Sequence, residues 1–277
     1  MTRPFATALP LLLALLASLS AQAGELARLL DKPVPGGVAV VDLGAGAARP
    51  SARYQGKPVL VVQEDRRWLA VAGVPLTVKP GSQQLETGDG RRLAFAVRER
   101  HYKEQHITLK NTEQVNPSPA NLARIEGELA QQNDAYRQFS PRQPGSLRFD
   151  KPVSGPLSSP FGLRRFFNGE ERNPHAGLDF AVPAGTPVKA PAAGRVVLIG
   201  DYFFNGRTVF VDHGQGLISM FCHLSQVGVK VGDELPRGAV LGKVGATGRA
   251  TGPHLHWNLS LNDARIDPAI FIGAYQP

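Results

Sequence analysis

In the stretch Gly-Pro-His-Leu-His-Trp-Asn-Leu, residues 252–259, two histidines stand one residue apart. Read as a strand, the stretch turns His254, His256 and Asn258 to one face and Leu255, Trp257 and Leu259 to the other. A polar face with two imidazoles suits a half-exposed strand, half of a metal site, or a ligand beside a proton-transfer group, because imidazole binds metals and titrates near neutrality. Upstream, His-Ala-Gly-Leu-Asp-Phe-Ala-Val, residues 175–182, puts His175, Gly177 and Asp179 on one face and Leu178, Phe180 and Val182 on the other. The position between the two ionisable groups has no side chain, which leaves room for something to bind. The spacing would also fit one face of a helix, but Gly177 and the following Val-Pro-Ala-Gly favour a strand.

A third stretch is Leu-Ile-Ser-Met-Phe-Cys-His-Leu, residues 217–224. Alternation puts His223 with Phe221, Ser219 and Leu217, and Cys222 with Met220 and Ile218 on the opposite face. A nucleophilic Cys–His pair is therefore disfavoured, and Cys222 reads as a small apolar filler. His213, in Val-Asp-His-Gly-Gln-Gly, is expected to stabilise a hairpin turn. His101 and His106 lie in a charged segment and are expected to be solvated. His175, Asp179 and one of His254 and His256 make a zinc-type set of two imidazoles and a carboxylate. A structural zinc would take four closed ligands, often cysteines, whereas three protein ligands leave a position open for water, the arrangement of a catalytic zinc. The remaining histidines could then handle protons.

The elements that must position these residues show as changes of pattern. The chain has 277 residues, 42% apolar and 19% charged, an ordinary globular composition with room for one large domain or two modest ones. Its net charge of +8 is spread along the chain and forms no basic arm. That disfavours a nucleic-acid binder and suits an anionic polymer or envelope surface. Residues 1–23 read as a secretory signal peptide: a positive start at Arg3, an apolar run from Leu9 to Leu19, and the small-x-small signature Ala21-Gln22-Ala23. The run is short for a membrane span. Cys222 is the only cysteine, so no intrachain disulfide forms and no lipid-bearing cysteine follows the signal. The expected location is the periplasm or cell envelope, in soluble form after signal removal.

Short β-type runs at Val38–Val41, Val59–Val62, Trp68–Val71, Arg92–Val97 and Ile107–Leu109, separated by turn signals, predict a small N-terminal β domain within residues 24–112. Residues 113–147 predict a connector. Ser118 is the expected N-cap and Pro119 the first helical position, Leu122, Ile125, Leu129 and Tyr136 recur at helical spacing, and Ser140 to Ser146 reads as a linker. Residues 148–277 are β-rich and contain an approximate repeat: Val182-Pro-Ala-Gly185-Thr-Pro-Val188 matches Val229-Lys-Val-Gly232-Asp-Glu-Leu235, and each copy leads into a Val-containing strand. A duplicated strand–turn–strand unit fits an antiparallel β sandwich or barrel. The expected fold class is mainly β, with this C-terminal sandwich or barrel, a smaller N-terminal β domain and one connecting helix.

The segments SSPFGLRRFFNGEERNPHAGLDFAVPAGTPVKAPAAGRVV, VFVDHGQGLISMFCHLS, VGDELPRGAVLGKVGATGRATGPHLHW and LNDARIDP follow in order and cover most of residues 158–268. In that order they resemble the LytM/lysostaphin-type zinc metallopeptidases, which cleave peptide crosslinks in bacterial peptidoglycan. The upstream segment resembles the small β domain that precedes LytM domains in some exported envelope peptidases. The resemblance implies one Zn2+ per chain on His175, Asp179 and His256, with His223 and His254 as catalytic histidines. It implies hydrolysis by zinc-activated water with one of that pair as general base, so Ser225 and Cys222 are not nucleophiles. Peptidoglycan stem peptides are the implied partner, with no nucleic acid and no transmembrane anchor. The D-alanyl–diaminopimelate bond is the favoured target over a glycine bridge.

Some relatives have lost zinc ligands and act as non-catalytic activators of a cell-wall amidase; the intact set here counts against that alternative. Biotin/lipoyl carrier-like domains and a two-histidine phosphocarrier share the Val-x-x-Gly-Asp-x-Leu pattern, but the signal peptide argues against a cytoplasmic phosphocarrier, no Lys lies in a tight turn suited to lipoyl attachment, and Asp179 would have no role. The N-terminal domain, joined through a helix and a Pro/Gly tract, is also expected to restrain the active site; a domain that only positions the chain on the wall is the competing expectation.

Overall fold

The computed structural model describes residues 24–277; the expected signal peptide, residues 1–23, lies outside the described residues. The chain opens with helix α1 (Glu25–Leu30) and then strands β1 (Val38–Ala45), β2 (Ala52–Tyr54), β3 (Lys57–Pro58), β4 (Leu60–Glu64), β5 (Arg67–Gly73), β6 (Gly81–Thr87), β7 (Arg92–Val97) and β8 (Glu104–Ile107). Helix α2 (Pro119–Arg137) follows. The second half holds β9 (Leu157–Ser159), β10 (Arg164–Phe167), β11 (Glu170–Arg172), β12 (Gly177–Phe180), β13 (Pro187–Lys189), β14 (Gly194–Tyr202), β15 (Gly206–Gly214), β16 (Leu217–Val227), β17 (Glu234–Leu235), β18 (Val240–Val244), β19 (Leu255–Leu261) and β20 (Ala264–Ile266). The mainly β architecture with one principal helix agrees with the sequence expectation. Among the described residues, no helix is long and apolar enough to cross a membrane.

In the first half, β1-β5-β4 and β3-β2-β6-β7 form two small antiparallel sheets. In the second, the path β17-β14-β15-β16-β19-β12-β9 forms the main sheet, with β13 and β18 paired beside it. One face of this sheet packs Leu178, Phe180, Leu217, Phe221, Leu255 and Trp257 into the largest buried cluster. Leu30, Val38, Leu60 and Val71 of the first half join the same cluster. The two halves also share buried hydrogen bonds: Asn262 accepts from the Gly73 amide at 2.6 Å, and Gln215 accepts from the Val61 amide at 3.1 Å.

The repeat acquires a structural meaning. The Gly185 amide donates to Val244 O and the Gly232 amide to Val196 O, both at 2.8 Å, and β13 pairs with β18 while β17 pairs with β14. Each copy's turn therefore docks on the other copy's strand. Both glycines have positive φ, 87° and 96°, which glycine adopts without a side-chain clash.

Helix α2 begins after the Ser118 cap with Pro119 in the first turn, as expected, although the Ser118 side chain makes no cap bond. Its buried stripe is Ile125, Gln132, Ala135 and Tyr136, whereas Leu122 and Leu129 are about half exposed. The helix covers one end of the outer face of the main sheet. Tyr136 stacks edge-on against Phe210 at 5.1 Å and donates its hydroxyl to Met220 Sδ at 3.1 Å. The tract expected to be a linker is pinned instead: Ser140 O accepts from the Gln215 amide at 3.0 Å, and Gln143 accepts from the Gln215 side chain at 2.9 Å.

Candidate active site

Beyond the reach of α2, the outer face of the main sheet is open, and the polar residues collect there. In the β12–β19 pairing, Asp179 lies opposite His256 and Gly177 opposite Asn258, while Leu178 and Phe180 face Trp257 and Leu255. The apolar alternation thus anchors both strands in the core and turns His256 and Asp179 outward together. His175 sits just ahead of β12, fixed by two backbone bonds with the 161–163 turn: its amide to Leu163 O at 2.9 Å, and its carbonyl from the Gly162 amide at 2.7 Å.

His175 Nε2 and Asp179 Oδ1 are 3.0 Å apart, His175 Nε2 and His256 Nδ1 3.1 Å, and His256 Nδ1 and Asp179 Oδ1 2.8 Å. His175 donates its Nδ1 proton to Pro160 O at 2.7 Å. In its neutral form the imidazole therefore turns the Nε2 lone pair toward the other two atoms. Three electron-rich atoms converging on one point call for a cation there. A tetrahedral zinc with Zn–N bonds of 2.0–2.1 Å spaces its ligand atoms about 3.3 Å apart, close to the observed triangle. The donor set thus fits a zinc ion, and the group is the metal-type cluster found among the described residues.

Asp179 is held at both oxygens. While Oδ1 faces the imidazoles, Oδ2 accepts from Arg165 Nη2 at 3.1 Å, and Arg165 Nε donates to Gln105 Oε1 of β8 at 3.1 Å. Burial would raise the Asp179 carboxyl, but the His175 and His256 hydrogen bonds outweigh it and hold it well below the usual carboxylate range. Burial lowers His256 to about 4, with Asp179 opposing, so His256 is the neutral imidazole that ligation requires.

His223 and His254 face each other across the same groove, with ring centres 4.7 Å apart and His223 6.1 Å from His256. His223 Nδ1 donates to Thr247 O at 2.8 Å and His254 Nδ1 to Gly252 O at 2.9 Å. Each neutral ring then presents a bare Nε2. Burial lowers His223 to about 3, helped by the neighbouring His256 and His254.

The route by which His223 arrives differs from the alternation read in the sequence. Leu217 and Phe221 do face the core, but His223 has φ 61° and the β15–β16 register slips there. The bulge gives Leu224 the core position and turns His223 to the open face. Cys222 lies opposite His256 in the ladder but is fully buried in the cluster beneath α2, where burial pushes its thiol far up. Its place in that cluster fits the small apolar filler expected from the sequence. His213, expected to stabilise a hairpin turn, adjoins the turn between β15 and β16. It is buried at the end of β15, bonded to Ala193 O at 2.9 Å and Ser219 Oγ at 2.8 Å. His101 and His106 are exposed, as expected.

The site opens into a groove of about 360 Å³. Gln105, Ile107 and Leu109, from β8 and the residues after it, form part of one wall, because β8 adds in parallel to β10. Arg165 and Arg249 line it as well. The sequence reading gave none of these a role at the site, although it marked Ile107–Leu109 as a β-type run. A charged side chain in a turn-rich stretch is ordinarily solvated, and only distant contacts reveal otherwise.

Residues 173–268 match the model of peptidase family M23, and residues 31–100 match that of the M23 N-terminal domain. A crystal structure of a candidate M23 peptidase from Pseudomonas aeruginosa is 62% identical, covers 90% of this chain and 99% of its own, and superposes with a TM-score of 0.79. The chain belongs to peptidase family M23. Among curated relatives, the M23 segment is similar to the DD-carboxypeptidase/endopeptidase Mpg of Neisseria meningitidis, 35% identical over 46% of this chain and 29% of that protein. It is also similar to the peptidoglycan DD-endopeptidase ShyA of Vibrio cholerae, 42% identical over 37% of this chain and 24% of that protein. The matches thus span less than a third of these curated relatives.

Proposed function

We propose that the protein is an exported zinc endopeptidase that hydrolyses peptide crosslinks of peptidoglycan, with the D-alanyl–diaminopimelate bond as target, in cell-wall remodelling. The observation that carries this reading is the convergence of His175, Asp179 and His256 on one point, with the bare Nε2 atoms of His223 and His254 presented to the same groove. The relatives' names support the substrate class. A zinc ion on His175, Asp179 and His256 would activate water and polarise the scissile carbonyl.

The chain's own residues supply the rest. Arg165 keeps one Asp179 oxygen away from the metal position, so the carboxylate offers a single ligand atom. His254, the partly exposed member of the pair, is assigned as general base, because a proton taken there can pass to solvent. His223, buried and kept neutral with its Nδ1 proton on Thr247 O, orients the attacking water by accepting a hydrogen bond at its bare Nε2.

β8 forms part of the groove wall and touches Asp179 through Gln105 and Arg165, which supports a restraining role for the N-terminal half.

The test is zinc content and digestion of defined muropeptides by the mature chain, with the cut bond identified by mass spectrometry. His256→Ala is expected to lose zinc and hydrolysis together, and His223→Ala to lose hydrolysis while keeping zinc. A chain that holds no zinc at neutral pH, or that cleaves equally well after chelation, would sink the reading.

A further inference from the structure

Arg249 stands in the same groove but belongs neither to the ligand set nor to the histidine pair. Its guanidinium carbon lies 4.5 Å from the centre of the Phe167 ring and 4.3 Å from that of Phe204, so two aromatic rings hold the cation. The backbone is fixed as well. The Arg249 amide donates to Phe204 O at 2.8 Å, and Gly248, with φ 70°, packs so closely on the 204–206 turn that a Cβ would meet the Gly206 nitrogen at 2.3 Å. Gln114 closes the cage: its carbonyl accepts from Arg249 Nη1 at 3.2 Å, and its side chain donates to Gly248 O at 3.2 Å.

A guanidinium carries five donors in a rigid fork that matches a carboxylate. Among the described residues, the Arg249 side chain has that one carbonyl acceptor and no carboxylate partner. The carboxylates nearby are committed: Asp179 to Arg165 and Glu170 to Arg172. Burial, then repulsion from Arg165 and Arg172, lowers the guanidinium to about 10, which still leaves it charged at neutral pH. A partly desolvated cation without a counter-ion, preset in a substrate-sized groove, is a site for an anion.

We propose that Arg249 is a specificity residue that takes a free carboxylate of the peptide substrate, so that the groove selects acidic crosslink peptides over uncharged glycine bridges. The inference rests on the peptidase reading for the identity of the ligand as a peptide. Diaminopimelate carries such a carboxylate beside the nitrogen of the cleaved amide, and a glycine bridge carries none there. The C-terminal carboxylate of the stem peptide offers the same chemistry from a second position.

The experiment measures binding of crosslinked peptides to the chain from residue 24 to 277 bearing His223→Ala, so that ligands stay intact. One peptide has both carboxylates free, one is amidated at the residue that supplies the amide nitrogen, and one is amidated at the C-terminus. At least one amidation is expected to weaken binding about tenfold or more, the scale of a charge-assisted hydrogen bond, and to show which carboxylate is read. Adding Arg249→Gln should erase the difference, while Arg249→Lys should keep part of it. Equal affinity for all three peptides in the chain that retains Arg249 would overturn the proposal, and this comparison needs no change at residue 249. Carboxylate-selective binding with no hydrolysis by the zinc-loaded wild-type chain would remove the peptidase reading and leave this inference standing. Hydrolysis indifferent to amidation at either position would do the reverse.

Discussion

A Cβ at position 177 would lie 2.8 Å from Cε1 and Nε2 of His256 and 2.4 Å from the Trp257 carbonyl oxygen. The gap that Gly177 leaves between His175 and Asp179 is therefore filled by the His256 ring, which the β12–β19 pairing delivers from across the sheet. Gly177→Ala must push the two strands apart or displace that ring. We expect zinc affinity to fall at least about tenfold, with a stability loss of about 1–3 kcal/mol from overpacking. Chelator competition and thermal unfolding measure the two effects, and unchanged affinity would show that the ring can move without harm. The division of roles within the 254/256 pair came only from the family resemblance, but His175, Asp179 and that pair were legible as candidates because their spacing matched strand faces. Arg165 and Arg249 were not, because their burial depends on Gln105, Gln114 and Phe204, which lie far away in sequence.

At the level of elements, His213 locks the end of β15 to the turn before β14 and to β16. Burial lowers its imidazole to about 4 against an ordinary value of 6.5, with the Ala193 carbonyl opposing. Between those values the unfolded chain binds a proton that the native chain refuses. The stability present above pH 6.5 is thus lost as pH falls toward 4, by up to roughly 3 kcal/mol from this residue alone. The midpoint of thermal unfolding should drop over that range, and His213→Gln should flatten the drop. A variant with the same slope as wild type would exclude His213 as its source. Period-two alternation predicted which residues of β12 and β19 face the core. It failed at His223, because a bulge with positive φ has no signature in a stretch of apolar and polar residues that alternates on past it.

At the scale of the molecule, the two halves share one buried cluster, with Leu30, Val38, Leu60 and Val71 packed among residues of the second half. Residues 148–277 alone would expose that surface, so restraint by the N-terminal half is better tested in the full chain. Gln105→Ala with Ile107→Ala trims the wall that β8 builds while leaving its backbone pairing with β10 intact. If that wall restrains access, hydrolysis of intact peptidoglycan should rise severalfold with zinc content unchanged. An unchanged or lower rate would favour a wall that positions substrate.

The sequence by itself determined the class of fold, the approximate repeat and the candidate ligand-type residues. These are written in local periodicity, turn residues and spacing, which act within a few residues along the chain. Its ordered segments also carried the resemblance to the peptidase family. The tertiary structure decided that Asp179 meets His256 in register, that a bulge brings His223 to their face, and that β8 and the 112–116 segment wall and brace the groove. It also decided that Arg249 is caged between Phe167 and Phe204 with no carboxylate partner among the described residues. These facts depend on contacts between segments distant in the chain, whose burial and desolvation no local pattern encodes.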